Sequence, residues 1–286
     1  MKSSMRLDYL RVALTLMVAG TSLHAYAQPN EPIFSLAKKE RPALLESLRA
    51  LVSIETGSRD FEGLGKLADL IAGRLKDLGG KVELVAPSDV YKMEDTPEQI
   101  GKMVRATFTG KGTKKILLIA HMDTVYPRGM LAEQPFRIDG KRAYGLGIAD
   151  DKQGIAVILH TLAILKATNF QQYGTLTVLI NADEELSSPG SRSVISKLGA
   201  EHDATFSVES SRAESDKLSL ATSGIASVTL KVTGRASHSG NAPEKGINAL
   251  YELAHQVLQT RDFSDPAVGL KMNWTLANAG TTRNMI

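Results

Sequence analysis

The 286-residue chain has no cysteine and a formal charge of +3, which excludes disulfides and thiolate metal ligands and leaves histidine and carboxylates to build any metal site. Such a donor set suits zinc, with manganese and cobalt as alternatives. No basic stripe interleaved with aromatics runs through the chain, so nucleic-acid binding has no support.

Residues 1–27 read as a secretory leader: Lys2, Arg6 and Arg11 form a basic start, residues 12–23 a short apolar core, and Ala25-Tyr26-Ala27 a small-x-small cleavage site. That apolar core is well short of the roughly 20 residues of a membrane span, and no later stretch reaches that length. The expectation is a periplasmic or secreted chain that has no membrane contact after cleavage. The leader carries those three basic residues and Asp8, so 259 residues of formal charge +1 remain, enough for one large or two moderate domains.

Leu44, Leu45, Leu48, Leu51 and Val52 recur at helical spacing over residues 42–54. A second helix is predicted over 61–78, with Leu64, Leu67, Leu70, Ile71 and Leu75 on one face and Gly79-Gly80 as its stop. Residues 81–85 and 103–108 read as strands. Residues 115–120, KILLIA, form the short continuous apolar run of a strand covered on both faces, and that strand delivers His121 at its C-terminal end. In HMDTVY, His121 and Asp123 fall on the same side of an extended backbone, so Asp123 can hold the second ring nitrogen and fix the tautomer.

The chain is organised around YGLGIADDKQG, residues 144–154, where Gly145, Gly147 and Gly154 turn the backbone about Asp150 and Asp151 before a helix over 155–165. Alone, the acid pair reads equally as a helix N-terminus or as metal ligation, with Asp150 shared between two ions. A buried strand over 176–180 runs into Asn181-Ala-Asp-Glu-Glu, and a strand over 204–208 runs into Glu209. Glu184 and Glu185 point to opposite sides of an extended chain, so Glu185 can bind metal while Glu184 takes a proton from water. The competing reading of this DEE run is a solvated acidic loop; its position directly after LTVLI argues against it. Ligands bind outside the carboxyl ends of strands in open α/β sheets, so His121, Glu184, Glu185 and Glu209 are expected to converge.

Two divalent ions about 3.5–4 Å apart need one bridging carboxylate and terminal ligands on either side. Asp150 fits the bridge, His121 and Glu209 one ion, and Glu185 the other. The second ion is then short of a ligand. His160, well inside a helix, and His202, in a surface turn between Glu201 and Asp203, do not convincingly supply it.

Beyond residue 220 the pattern changes to alternation: Ala226, Val228, Leu230 and Val232 against Ser227, Thr229 and Lys231, a half-exposed strand. SHSGNAPEKG, a helix over 246–258 and a second alternating strand over 270–277 follow. Residues 28–222 and 223–286 are therefore expected to form separate domains, the second a β-α-β module.

HMDTVY, GIADDKQG, NADEE, SVES, TSGIA and ASHSGNAPEKGINAL, in this order and spacing, resemble the dinuclear zinc exopeptidases and deacylases. That family includes bacterial glutamate carboxypeptidase, succinyl-diaminopimelate desuccinylase and aminoacylase, and its exported folate-hydrolysing carboxypeptidases are the most similar in pattern. The resemblance implies an α/β fold, a mixed twisted sheet with helices on both faces plus part of a small α+β lid and dimerisation domain. It implies His121, Asp150, Glu185 and Glu209 as zinc ligands, Glu184 as general base and Asp123 as the group that orients His121. His238 resembles the lid histidine that hydrogen-bonds the developing oxyanion, although its surroundings alone suggest a polar turn residue. Asn284 resembles a lid residue near the substrate.

Two zinc ions per complete site, a small peptide or N-acyl amino acid substrate and a homodimer through the lid follow from the same resemblance. Relatives continue past the position of Ile286 to a last histidine ligand and an arginine that holds the substrate carboxylate; on this reading the chain stops inside the lid and holds one ion or none. The implied activity is zinc-dependent hydrolysis of amide or peptide bonds, releasing C-terminal glutamate from folate-type or peptide substrates. Two alternatives stay open: a truncated, non-catalytic remnant, and a desuccinylase or aminoacyl-amino acid hydrolase.

Overall fold

The structure, a computed structural model, describes residues 31–210 and 218–286; the leader expected at 1–27 lies outside them. The chain divides into two compact units, Met1–Lys217 and Leu218–Ile286.

In the first unit, helix α1 spans Glu31–Val52 and buries Leu48, Leu51 and Val52. It begins well before the expected start at residue 42 and carries Pro42 in its interior. A proline there deprives the carbonyl four residues back of its donor, and that residue, Lys38, lies on an exposed stretch where water can replace the bond. Helix α2, Phe61–Asp77, is capped by Asp60, which accepts from the Gly63 amide at 3.0 Å, and it buries Leu64, Leu67, Ala68, Ile71 and Leu75. It ends as the glycine pair dictates, with Gly79 at φ 100°.

Strands β1 (Lys81–Val85), β2 (Met103–Thr109), β3 (Lys115–His121), β6 (Thr175–Asn181) and β7 (Ala204–Ser207) form one five-stranded sheet in the order β1-β2-β6-β3-β7. β1, β2 and β6 pair antiparallel, and β3 lies parallel to both β6 and β7, so the sheet is mixed. A small hairpin, β4 (Arg137–Asp139) with β5 (Arg142–Tyr144), stands apart from it.

Helices cover both faces, and the period of two along the strands decides which residue meets which helix. On one face Val104, Ala106, Ala120, Val178 and Ile180 pack against α1, α2 and α3 (Gln153–Ala167). On the other, Met103, Leu117 and Leu179 meet Leu198 of α4 (Arg192–Glu201), with Val194 and Ile195 beside it. KILLIA is thus a central strand with apolar residues on both sides, as its unbroken run predicts. β7 lies at the sheet edge with all four residues exposed.

In the second unit, helix α5 spans Ala249–Thr260. It starts later than expected because the Asn248 side chain caps it, accepting from the amides of Leu250 and Tyr251 at 3.0 and 3.2 Å. The strands expected over 226–232 and 270–277 do not form ladders. Among the described residues, this unit has only isolated bridges, Arg235 with Ile247, His238 with Met285 and Asp265 with Leu270. Alternation prepares a segment for a sheet, but a strand exists only where a neighbour supplies the hydrogen bonds.

Candidate metal centre

β3 and β6 are adjacent and parallel, with His121 opposite Asn181 at their carboxyl ends. The chain leaving β3 goes to α3 on one face of the sheet, and the chain leaving β6 goes to α4 on the other. Where outgoing connections part in this way they open a crevice. His121, the Glu184-Glu185 turn and the segment after β7 all lie at this end.

His121 is almost fully buried and fixed on three sides. Its amide donates to Asp151 Oδ2 at 3.2 Å, its Nδ1 lies 3.0 Å from the Asp123 carbonyl oxygen, and its Nε2 lies 2.9 Å from Asp150 Oδ1. Glu209 Oε1 and Glu184 Oε2 approach the same Nε2 at 3.7 and 3.9 Å. With a proton on Nδ1 facing the carbonyl, Nε2 faces the carboxylates, where it donates a second proton in the charged ring or, deprotonated, can offer its lone pair to a cation. Burial opposes charge on this imidazole, yet Asp123, Glu209 and Asp151 outweigh it and push its pKa up to about 10.

The tautomer-fixing contact differs from the sequence expectation. The nearest Asp123 atom to Nδ1 is the backbone carbonyl, with the carboxylate Oδ1 at 3.4 Å. The fully buried Asp123 carboxylate instead accepts from Ser58 Oγ at 2.8 Å and from the amides of Glu184 and Glu185, each at 3.1 Å. This explains a second departure. Glu184–Leu186 is a 3₁₀ turn rather than extended chain, because two consecutive amides converge on one carboxylate. Glu184 and Glu185 therefore splay around a turn instead of facing opposite ways.

Both glutamates hold protons more tightly than usual. Burial raises Glu184, with His121 opposing and Glu209 adding to the rise. Burial and then the Asp150 charge raise Glu185 to about 7.

Asp150 and Asp151 are joined by a cis peptide bond and have opposite surroundings. The Asp150 side chain is 60% exposed, toward the crevice, and Asp151 is fully buried. Burial and the Glu209 charge raise Asp151 to about 8, and its Oδ1 lacks a hydrogen-bond partner. Neither acid caps a helix: α3 begins after Lys152 with no side-chain cap. The turn depends on Gly147, at φ 64°, and on Gly154, where a Cβ would collide with the Val208 carbonyl and the Asp151 carboxylate.

Asp150, Glu209 and His121 each offer a ligand atom within 4.8 Å of the others. One imidazole nitrogen and two carboxylates, with the histidine braced through its other nitrogen, form a donor set that fits a divalent ion. Glu185 is outside that trio and is tied to Asp150 by repulsion. Neither extra histidine joins them. His160 bonds Glu40 and Ser47 at 2.7 and 2.8 Å, and His202 bonds the Leu198 carbonyl and Thr177 at 2.6 and 2.8 Å.

In the second unit, His238 Nδ1 accepts from the amides of Gly240 and Asn241 at 3.2 and 3.1 Å, which puts the neutral ring's proton on Nε2. The Asn284 carbonyl accepts from the Ser239 amide at 3.0 Å, beside the bridge of His238 with Met285, so these two predicted residues lie on neighbouring segments of that unit.

Sequence reasoning missed four residues that hold the site. Asp151 is indistinguishable in sequence from its neighbour. Ser58 lies 65 residues from the Asp123 it bonds. Asp183 accepts from the amides of Gly190 and Ser191 at 2.6 and 3.1 Å and closes the loop after the glutamates. Lys152 is buried and donates to the Ile54 carbonyl at 2.6 Å; burial lowers its pKa to about 8.

Residues 117–278 match the peptidase family M20/M25/M40. The chain is 45% identical over 276 residues to carboxypeptidase G2 of Pseudomonas sp. (strain RS-16), covering 96% of this chain and 64% of that protein. It is 29% identical over 265 residues to acetylornithine deacetylase of Proteus mirabilis (strain HI4320), covering 86% and 64% respectively. It thus spans a little under two thirds of these relatives' length. Among solved structures, a tripeptidase from Staphylococcus aureus subsp. aureus Mu50 shares the fold with a TM-score of 0.54 at 18% identity, over 85% of this chain and 62% of that one. With more than half of its residues inside the matched region, the chain belongs to the peptidase family M20/M25/M40.

Proposed function

We propose that this chain carries the chemistry of a metal-dependent hydrolase of amide or peptide bonds, acting as a carboxypeptidase that releases C-terminal glutamate from folate-type or small peptide substrates. The observation that carries the reading is the cluster at the end of β3: His121, Asp150 and Glu209 within 4.8 Å, with Glu184 Oε2 3.9 Å from the same imidazole. Identity of 45% to carboxypeptidase G2 supports the substrate class.

His121, Asp150 and Glu209 would hold one zinc ion, and Asp150 with Glu185 a second, cobalt or manganese being alternatives. Bound there, the metal supplies polarisation of the scissile carbonyl and a lowered pKa for water. Glu184 takes the proton of the attacking water and passes it to the leaving amine, a task for which its raised pKa suits it. Asp123 holds the Glu184 and Glu185 amides in place through both steps. For His238 the supporting geometry is local to its own unit: with Nδ1 accepting two amides, Nε2–H is the donor proposed for the oxyanion. Asn284, on the segment bridged to His238, is proposed as a substrate contact.

The acetylornithine deacetylase relatives favour a second reading within the same chemistry, hydrolysis of an N-acyl amino acid. Residues 1–27 support export, and no described helix is long and apolar enough to cross a membrane. Exposed Leu250, Tyr251 and Leu258 on α5 support a homodimer contact there.

The test is hydrolysis of a folate-type glutamyl amide and of an N-acetyl amino acid by the zinc-loaded chain and by Glu184→Ala. Turnover of the first substrate, lost in the variant with metal content retained, is the expected result. Undiminished turnover in Glu184→Ala would refute its role, and metal uptake without turnover of either substrate would favour a non-catalytic remnant.

A further inference from the structure

Lys152 is the one buried lysine or arginine among the described residues, at 1% exposure. Removing an ammonium from water costs several kcal/mol unless its protons are well used, so an apolar side chain would be the easier occupant. Its Nζ donates to the Ile54 carbonyl at 2.6 Å, in the segment that links α1 to α2, and the nearby Glu55 charge favours its ionised form.

The same segment reaches the other ligand-bearing strands. The Thr124 amide donates to the Thr56 carbonyl at 2.8 Å, the Ser58 amide to the Thr124 carbonyl at 3.1 Å, and Ser58 Oγ to Asp123 Oδ2 at 2.8 Å. Asp123 in turn holds the amides of Glu184 and Glu185. From the other side, Asp151 Oδ2 accepts the His121 amide. The connections form a closed ring: from the Asp150 turn through Lys152 to residues 54–58, on to Asp123 and His121, and back to Asp151. Every strand end in it is held by a partner distant in sequence.

We propose that Lys152 is a positioning residue whose bond to the Ile54 carbonyl closes this ring and sets the Asp150 carboxylate against His121, so that the two ligate one ion together. Ser58 acts in the same ring from the opposite side. The inference rests on the metal-site reading above and adds to it a buried device that keeps two ligands in register before any ion arrives.

The experiment measures zinc affinity of the full chain by competition with a chromophoric chelator, and the visible spectrum of the cobalt-loaded chain, for wild type, Lys152→Met, Ser58→Ala and the double variant. Circular dichroism and thermal melting establish folding. Methionine keeps the length of the stem and removes the ammonium. The expected result is a folded Lys152→Met chain with affinity lower by about tenfold or more and a shifted cobalt spectrum. Ser58→Ala should move both readouts in the same direction, and the double variant should lose less than the product of the single losses, because both break one ring. Folded variants with wild-type affinity and spectrum, beside a wild type that binds zinc, would overturn the inference alone. A wild-type chain that takes up no zinc would overturn the metal reading and the inference with it. If Lys152→Met does not fold, Ser58→Ala decides: wild-type affinity and spectrum there overturn the proposal.

Discussion

His121 Nε2 and Asp150 Oδ1 lie 2.9 Å apart although 29 residues separate them in sequence. One belongs to the end of a central strand and the other to an exposed turn before a helix, and the proposed cation site lies where they meet. Replacing Asp150 should abolish tight zinc binding at the proposed site without unfolding the chain, because its side chain is largely exposed. For Asp150→Ala, calorimetric titration should show affinity lower by at least about a hundredfold, with a melting temperature in chelator close to that of wild type, since lost repulsion against Glu185 is offset by the lost contact with His121.

Asp123 anchors the Glu184-Glu185 turn, and its loss should be felt in stability as well as in the rate of the proposed reaction. Asp123→Ala leaves two part-buried amides and a buried hydroxyl without their acceptor, a cost of about 2–3 kcal/mol. Urea unfolding should show this as a lower midpoint at unchanged slope. Glu184→Gln, by contrast, should leave stability nearly unchanged and lower kcat by about 10²–10⁴-fold.

The ionisable groups give the metal-free chain a distinctive pH response. In the fold Glu185 rises from 4.5 to about 7, Asp151 from 3.8 to about 8, and His121 from 6.5 to about 10. Each binds its proton more tightly folded than unfolded, so its contribution is present in full below the unfolded value and lost as pH rises through the folded one. In a chelating buffer the melting temperature should therefore fall between about pH 5 and pH 9 on account of these groups. Zinc should reduce or reverse the fall, because the ion favours the same groups deprotonated.

Two glycine substitutions separate a demanded glycine from an incidental one. Gly154→Ala drives a Cβ into the Val208 carbonyl and the Asp151 carboxylate, whereas at Gly73, within α2, an added Cβ meets nothing within 4 Å. The first should destabilise by about 2 kcal/mol or more, and the second should stabilise by roughly 0.5–1 kcal/mol through helix propensity. Thermal denaturation of the two variants checks both signs.

Much of this architecture is legible in the sequence, for reasons that can be named. β3 and β6 are short, mainly apolar runs bounded by glycine or polar residues, and α2 has both an apolar stripe and a glycine stop, so local pattern and tertiary burial agree. His121, Asp150, Glu184, Glu185 and Glu209 stand out because each follows a strand or glycine turn. The residues that hold them do not. Ser58 and Lys152 look like surface residues until residues 54–58 are seen beside the β3 end, and the choice between Asp150 and Asp151 depends on which way each turns. The start of α1 was hidden by Pro42, a usual first residue of a helix that here lies inside one. The alternation at 226–232 misled because periodicity reports a side-chain pattern and says nothing of a pairing partner.

The most direct test is elemental analysis of zinc retained after dialysis by the wild-type chain and by His121→Ala. At least one zinc ion per wild-type chain, with loss from the variant, is the expected result. A wild-type chain that retains none, or a His121→Ala chain that retains as much, would contradict the placement of a metal centre at the end of β3.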